Sequence, residues 1–175
     1  MQIERIAEWH LAASDDARIA TLLARCFATD FGGRSYFIQH HHLRLVVRDD
    51  SQIIGHMALG LRAVDLGARR VTIAGLAEVA TDPAHRGKGI AAALLQSAIA
   101  EAKASPASFL LLFGVARVYA AAGFQGVSNH VAHIVTNGTR AGRVVSQGDD
   151  HLMALPLRDE AWPAGDLVDL RGPVF

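Results

Sequence analysis

Apolar and polar residues follow two different patterns in the first third of the chain. One segment has apolar residues at helical spacing, preceded by Ser14 and two acids: Ile19, Leu22, Leu23 and Cys26. This pattern predicts a helix whose N-cap is Ser14. Residues 43–47 and 53–61 are two largely apolar runs on either side of a polar turn. Such a pair predicts a β-hairpin.

Predicted strands and helices are interleaved through the rest of the chain. Residues 90–102 are rich in alanine, which favours a helix, and a short helix over 115–122 is closed by Gly123. Apolar runs predict four further strands, over residues 71–81, 109–113, 131–136 and 152–157. Strands with helices between them indicate a mixed sheet with helices packed on its faces. We expect a single domain over residues 1–175.

Composition limits the class of protein. The chain has 175 residues, of which 51% are hydrophobic and 19% are charged, as in soluble globular domains. The formal net charge is zero, so nothing indicates a nucleic-acid partner. No apolar run approaches the ~20 residues of a membrane span, and two early acids disfavour a signal peptide. One cysteine and no signal peptide predict a cytoplasmic protein.

The charges are unevenly distributed. Residues 149–175 contain six acids and two arginines, which gives −6 + 2 = −4, so the remainder carries +4. The end of this segment, residues 162–175, contains six large apolar residues: Trp162, Leu167, Val168, Leu170, Val174 and Phe175. We therefore expect the acidic C-terminal segment to pack against the domain.

A glycine-rich turn before the alanine-rich helix carries the strongest chemical signal. The turn reads Arg86-Gly87-Lys88-Gly89 and leads into Ile90. Unpaired amides at a helix start, the helix dipole and two cations favour an anion, and the site should bind a pyrophosphate. No Ser or Thr follows the Lys, as a P-loop requires, and the third glycine of a dinucleotide-binding fingerprint is missing.

Two motifs resemble those of the GCN5-related N-acetyltransferase (GNAT) superfamily. Residues 79–91 resemble its acyl-CoA signature, in which Arg86, Gly89 and Ala91 match the core positions. The sequence Tyr119-Ala-Ala-Ala-Gly123-Phe resembles its second signature, about thirty residues later. The resemblance covers roughly residues 43–135. It implies the GNAT fold, a mixed, mostly antiparallel sheet of about six to seven strands flanked by helices.

The resemblance also implies a cofactor and a set of roles. The cofactor is acetyl-CoA, with CoA as product, and the reaction is direct attack of an amine on the thioester. Tyr119 would protonate the departing thiolate. Apart from the resemblance, Glu78 is the candidate base that takes the amine proton, because it lies on the strand expected to meet the cofactor. The implied cofactor-binding residues are Val79, Ala80, Thr81, Arg86, Gly87, Lys88, Gly89, Ile90 and Ala91.

Three segments, residues 28–31, 53–58 and 168–175, resemble the aminoglycoside 2′-N-acetyltransferases. In that family, acids hold the ammonium groups of a small cationic amino sugar, and the positions that match them are Asp30, Asp149 or Asp150, Asp169 and the carboxylate of Phe175. Tyr36 is a further expected substrate-binding residue. Two positions depart from the family. Pro173 replaces an acid, and the family's strand glutamate aligns with Ala77, one residue before Glu78. A one-residue shift turns a strand side chain to the other face unless a bulge intervenes.

Alternatives remain open at this stage. The ending over residues 161–173 also resembles the rhizobial nodulation N-acyltransferases, which use an acyl-carrier protein as donor and a chitin-oligosaccharide amine as acceptor. A non-catalytic acyl-CoA sensor is the alternative from another class. His40-His41-His42 does not predict a metal site, because neighbouring strand residues point to opposite faces. A homodimer is compatible with the sequence.

Overall fold

A computed structural model describes residues 1–114, 117–137, 140–149 and 151–175, with only the backbone described at residues 136, 137, 140 and 141. The helices are α1 (Ala13–Cys26), α2 (Ile90–Ala104) and α3 (Arg117–Ala121), with 3₁₀ turns at Glu8–His10 and Pro83–His85. The strands are β1 (Ile3–Ala7), β2 (Leu43–Asp49), β3 (Gln52–Leu66), β4 (Arg69–Thr81), β5 (Phe109–Phe113), β6 (Gln125–Gly126), β7 (His130–Asn137), β8 (Arg140–Gly148), β9 (Leu152–Pro156) and β10 (Val168–Asp169).

Contacts divide the chain into two compact units, Met1–Gly60 with Leu76–Glu101, and Leu61–Gly75 with Ala102–Phe175. In the first unit, β2 pairs antiparallel with both β1 and β3. The apolar face of α1 contributes to a core with residues of β2, β3 and β4: Ile19, Leu22, Leu23, Phe31, Val46, Ile53 and Ala80. Helix α2 approaches β3 closely because Gly55 lacks a Cβ, which would lie 2.5 Å from Ile90 Cγ2.

In the second unit, β5 pairs parallel with β4 and antiparallel with β9, which also pairs with β6. Strand β10 pairs antiparallel with the end of β3 and parallel with β7, whose other neighbour is β8. Residues of the acidic C-terminal segment, including Val168 and Leu170, are buried in this unit's core beside Val64, Ile73 and Phe109. The segment therefore packs, as predicted.

The predicted fold class is confirmed, because helices accompany a mixed sheet whose pairs are mostly antiparallel. The described residues form ten strands rather than six to seven, and short elements such as β1, β6 and β10 account for the difference. The predicted helix start at Ser14 is wrong. Helix α1 begins at Ala13 after Ala12, which makes no side-chain cap bond. Asp15 instead binds Arg48 of β2, so tertiary contacts rather than capping fix this end.

Two predictions are not tested in full and stay predictions. The single domain is not decided by a division into two compact units. The predicted helix over 115–122 corresponds to α3, and residues 115 and 116 lie outside the described part of the chain.

Within the described ranges, none of the helices has the length and apolarity that crossing a bilayer requires.

Candidate active site

The end of β4 leads directly into the glycine-rich turn. Strand β4 finishes with Val79, Ala80 and Thr81, the residues predicted to meet the cofactor. Asp82 then caps the 3₁₀ turn by accepting a hydrogen bond from Ala84 N at 2.9 Å, and this bond lowers the pKa of its carboxyl. Arg25 of α1 pairs with the other carboxylate oxygen of Asp82 at 2.8 Å. The entry to the turn is thus held in place from α1.

The turn itself presents backbone to open space. Gly87 and Gly89 have φ of 76° and 78°, a left-handed conformation that favours glycine. A Cβ built on either residue would meet no atom within 4 Å, and Arg86 and Lys88 are exposed. Helix α2 starts immediately afterwards at the buried Ile90, and the amides of its first turn have no intrahelical partner. Accessible amides and two cations at a helix start fit a diphosphate.

Cys26 lies beside this region and has a structural role. Its Sγ donates a weak hydrogen bond to the carbonyl oxygen of Thr81 at 3.4 Å. Burial is the main influence on the thiol and raises its pKa, although Arg86 acts in the opposite direction. A thiol of raised pKa holds less of the nucleophilic thiolate. This agrees with the interpretation of Cys26 as a packing residue.

Glu78 adopts an unusual conformation within β4. Its φ is 50°, a left-handed value that is rare for a non-glycine residue in a strand. The carboxylate is almost fully buried and accepts hydrogen bonds from Phe37 N at 2.7 Å and from His41 Nε2 at 2.8 Å. Arg44 Nη1 lies 3.4 Å from the same carboxylate. The candidate base is therefore an interior group held by three partners, not a surface carboxylate.

Arg44 is the centre of this buried polar network. It has no exposed surface, and its guanidinium makes a two-point pair with Glu8 at 2.7 and 3.0 Å. Its Nη1 also donates to the carbonyl oxygen of Ser35 at 2.7 Å. Burial would raise the pKa of Glu8, but Arg44 and His40 together lower it. The network joins the 3₁₀ turn after β1, the loop before β2, and β4.

His56 completes the network from β3. It is fully buried, and burial together with the charge of Arg44 lowers its pKa to about 3. A neutral ring fits both of its contacts. Nδ1 donates to the carbonyl oxygen of Glu78 at 2.8 Å, and Nε2 lies 3.4 Å from Arg44 Nη1 as an acceptor. His56 thus holds the backbone of the left-handed residue, while Arg44 and His41 hold its side chain.

Tyr119 lies on α3 in the second unit. Its side chain is largely buried, with its ring 6.1 Å from that of Phe124, and burial raises the pKa of its hydroxyl. The hydroxyl therefore stays protonated at neutral pH, where it can donate a hydrogen bond. The ring edge lies against Gly114, where an added Cβ would be 3.1 Å from Tyr119 Cε2.

A pocket of about 300 Å³ has Gly114 in its lining. Six residues line it: Phe113, Gly114, Asp149, His151, Val174 and Phe175. The structure therefore brings together two of the predicted substrate residues, Asp149 and Phe175. The lining does not include Asp169, which lies in β10 and accepts a hydrogen bond from Arg171 N. Asp150 lies outside the described residues.

The remaining predicted substrate residues belong to the first unit. Asp30 is exposed and accepts a hydrogen bond from Gly32 N at 2.7 Å, and it lines a smaller cavity of about 190 Å³ at the end of α1. The ring of Tyr36 lies 3.9 Å from that of His40. In the described ranges, no three His, Cys, Asp or Glu side chains are grouped as a metal site would need.

The family follows from a sequence comparison. A family model described as an acetyltransferase (GNAT) domain matches residues 10–127, about two thirds of the chain. The chain belongs to the GNAT acetyltransferase family. This match confirms the predicted superfamily and the predicted class of enzyme, an N-acetyltransferase acting on an amine. Among curated proteins, none has a sequence similar enough to match.

Solved structures agree on the fold. The GNAT N-acetyltransferase YhbS of Escherichia coli, crystallised with CoA, has a TM-score of 0.68 at 21% identity, covering 97% of this chain and 88% of that one. A GNAT acetyltransferase of Brucella melitensis in complex with acetyl-CoA gives 0.64 at 22%, covering 95% and 94%. The Escherichia coli ribosomal-protein-S18-alanine N-acetyltransferase gives 0.61 at 18%, covering 91% and 97%.

These comparisons leave the finer predictions as predictions. The closeness to aminoglycoside or nodulation enzymes, the cytoplasmic location and the homodimer belong to this group, as do the roles of the individual site residues. Sequence reasoning gave no site role to Arg44, His41, His56 or Glu8. The available signal was a single arginine within the apolar run of β2, Leu43-Arg44-Leu45-Val46-Val47.

Proposed function

We propose that this enzyme transfers the acetyl group of acetyl-CoA to the amine of a small cationic amino sugar. The observation that carries the cofactor assignment is the turn Arg86–Gly89 at the start of α2. Two left-handed glycines expose the backbone there, beside the cations Arg86 and Lys88. The complexes of the two GNAT relatives with CoA and acetyl-CoA support the same choice. Acetyl-CoA supplies an acyl group activated as a thioester.

The chain's own residues have three tasks in this proposal. The amides of residues 87–91, with Arg86 and Lys88, bind the diphosphate, and the end of β4 offers backbone hydrogen bonds to the pantetheine arm. Tyr119 holds a proton on its hydroxyl for the departing sulfur. Glu78 takes a proton from the amine, so that the nitrogen attacks as a neutral nucleophile.

The amino-sugar part of the proposal rests on carboxylates. Asp149 lines the pocket of the second unit, and Asp30 lines the cavity at the end of α1. Carboxylates attract cationic substrates and orient them. The resemblance to aminoglycoside 2′-N-acetyltransferases makes aminoglycosides, including kasugamycin, the first acceptors to test.

A thiol-release assay tests the proposal. Acetyl-CoA is offered with aminoglycosides, chitosan oligomers and peptide N-termini, and calorimetry measures CoA binding separately. We expect binding of CoA and turnover with amino sugars. Turnover with peptides alone would reject the sugar, and no heat with millimolar CoA would reject the cofactor site.

The role of Glu78 needs its own comparison, because the carboxylate also has structural partners. If it is the base, Glu78→Gln lowers kcat most at low pH, where the amine is protonated, and least at high pH. If its role is structural, the variant loses stability and its activity falls by the same factor at every pH.

A further inference from the structure

We infer that the pocket beside Gly114 is the acceptor site, and that it selects amines carried on a single ring with a flat apolar face. This inference rests on the proposed function, because it names the substrate class of that reaction. Its physical basis is one carboxylate and two aromatic rings around a small cavity, all within the second unit.

The aromatic wall has a prepared seat. The ring of Phe175 lies over Gly75 of β4, where an added Cβ would be 2.7 Å from the ring. Phe113 packs beside it with ring centroids 5.5 Å apart, and the Arg62 guanidinium carbon lies 5.5 Å from the Phe175 centroid. Arg62 also donates a hydrogen bond to the carbonyl oxygen of Pro173. Residues of three strands, β3, β4 and β5, thus fix the position of the Phe175 ring.

Asp149 gives the pocket its charge. Its Oδ1 accepts a hydrogen bond from His151 N at 2.8 Å, and His151 Nδ1 lies 3.4 Å from the same oxygen. Both of these contacts use Oδ1. No hydrogen-bond donor in the described part of the chain contacts Oδ2, which is therefore available to a ligand. The Asp149 side chain is 20% exposed, so its carboxylate is partly shielded from water. A partly shielded carboxylate interacts more strongly with a cation than a fully solvated one does.

The size of the pocket restricts the acceptor. A volume of about 300 Å³ is at the lower end of the range for small-molecule sites, ~300–1,000 Å³. It admits one ring, and further rings of a larger molecule would lie outside. Phe113 and Phe175 favour a flat apolar face, which aromatic amines and the C–H face of a pyranose amine both offer.

The pocket also lies next to the proposed proton donor. Gly114 lines the pocket and also lies against the ring of Tyr119, and its amide donates to the carbonyl oxygen of His151 at 2.8 Å. An acceptor held between Phe113 and Phe175 would therefore lie beside Gly114, against which the ring of Tyr119 packs. Tyr119 is the residue that we propose as proton donor to the leaving thiolate. This adjacency connects the pocket with the reaction.

The experiment compares three amines of different shape: glucosamine, tyramine and the open-chain spermidine. Binding to the CoA-loaded protein is followed by saturation-transfer NMR, and turnover by thiol release. We expect binding and turnover for at least one ring amine, at higher kcat/KM than for spermidine. The two ring amines distinguish a pyranose from an aromatic acceptor. Equal or better use of spermidine would overturn the inference.

Three variants locate the effect. Asp149→Asn should raise KM for the ring amine about tenfold and leave KM for acetyl-CoA unchanged. Phe175→Ala, and Gly75→Ala, which displaces the Phe175 ring, should lower kcat/KM for ring amines roughly three- to tenfold but not for spermidine. Gly126→Ala, where an added Cβ meets no atom, is the control. Equal losses for ring and open-chain amines would mean that the Phe175 ring serves stability alone.

Failure of the two proposals can be told apart. Acetylation of open-chain amines or peptides, without binding of ring amines, overturns only the acceptor class. Binding of a ring amine that Asp149→Asn abolishes, without any turnover, supports the pocket and rejects the catalytic proposal. No binding of either ring amine by NMR overturns the inference whatever the activity.

Discussion

Replacement of Arg44 by methionine tests whether the buried network stabilises the first unit. The change keeps much of the side-chain volume and removes the guanidinium that contacts both Glu8 and Glu78. Both carboxylates are largely buried, with side-chain exposures of 15% and 7%. The variant therefore leaves two interior carboxylates without their main cation. Removing one partner is more damaging than removing a whole ion pair.

The expected loss is large. Breaking a buried pair by removing one partner costs about 3–5 kcal/mol. One kcal/mol shifts the melting temperature of a protein of this length by roughly 2–4 °C. Arg44→Met should therefore lower Tm by roughly 6–20 °C. The carbonyl oxygen of Ser35 loses its donor as well, which adds to the loss.

Thermal unfolding followed by circular dichroism measures this loss, and Arg5→Met is the matched control. Arg5 also pairs with a carboxylate, Glu101 at 2.7 Å, but it is exposed, and exposed pairs contribute little. Its Tm should stay close to that of the wild type. Adding Glu78→Gln to Arg44→Met should cost less than the same change in the wild type. An Arg44→Met protein with the wild-type Tm would refute the stabilising role.

Four further predictions concern single residues. Tyr119→Phe should lower kcat by about 10²–10⁴ while calorimetry shows unchanged binding of acetyl-CoA; an acyl-CoA sensor would show no effect. Gly89→Ala should weaken acetyl-CoA binding at least ~10-fold in calorimetry, because a Cβ disfavours the left-handed φ and would enter the space proposed for the diphosphate. Gly126→Ala should leave binding unchanged. His56 has a folded pKa of about 3, below its unfolded value, so the unfolded chain binds the extra proton between the two. Its contribution to stability is present above about pH 6.5 and is lost as pH falls. His56→Gln should therefore reduce the slope of the free energy of unfolding against pH, measured by urea unfolding, by about 1.4 kcal/mol per pH unit. Glu78→Gly should be more stable than Glu78→Ala by about 1 kcal/mol, because only glycine accepts φ of 50° without strain; equal Tm values would contradict a strained backbone there.

The glycine-rich turn could be predicted because its determinants are local. Glycine at positions 87 and 89 supplies the left-handed φ, and the alanine-rich sequence after Ile90 specifies the helix that follows. The acidic C-terminal segment was predicted to pack from its apolar residues alone. In each case, neighbouring residues determine the conformation, so a single sequence is enough.

The buried network could not be predicted because its members are distant in sequence. Arg44 meets Glu8 across 36 residues and Glu78 across 34, and no periodicity connects them. Strand β8 was missed for another reason. Its residues 142–144 are exposed and carry no alternation of apolar and polar side chains. Pairing with β7 determines this strand, not its own pattern.

The left-handed conformation of Glu78 gives the network a second consequence. A non-glycine residue at φ of 50° is strained and persists only where its surroundings fix it. His56 holds its carbonyl oxygen, while Phe37 and His41 hold its carboxylate. A left-handed residue interrupts the alternation of side chains along an ideal strand, so the direction of the Glu78 side chain depends on this conformation. The same buried contacts that stabilise the first unit therefore orient the candidate base, so stability and the geometry of Glu78 cannot be altered independently.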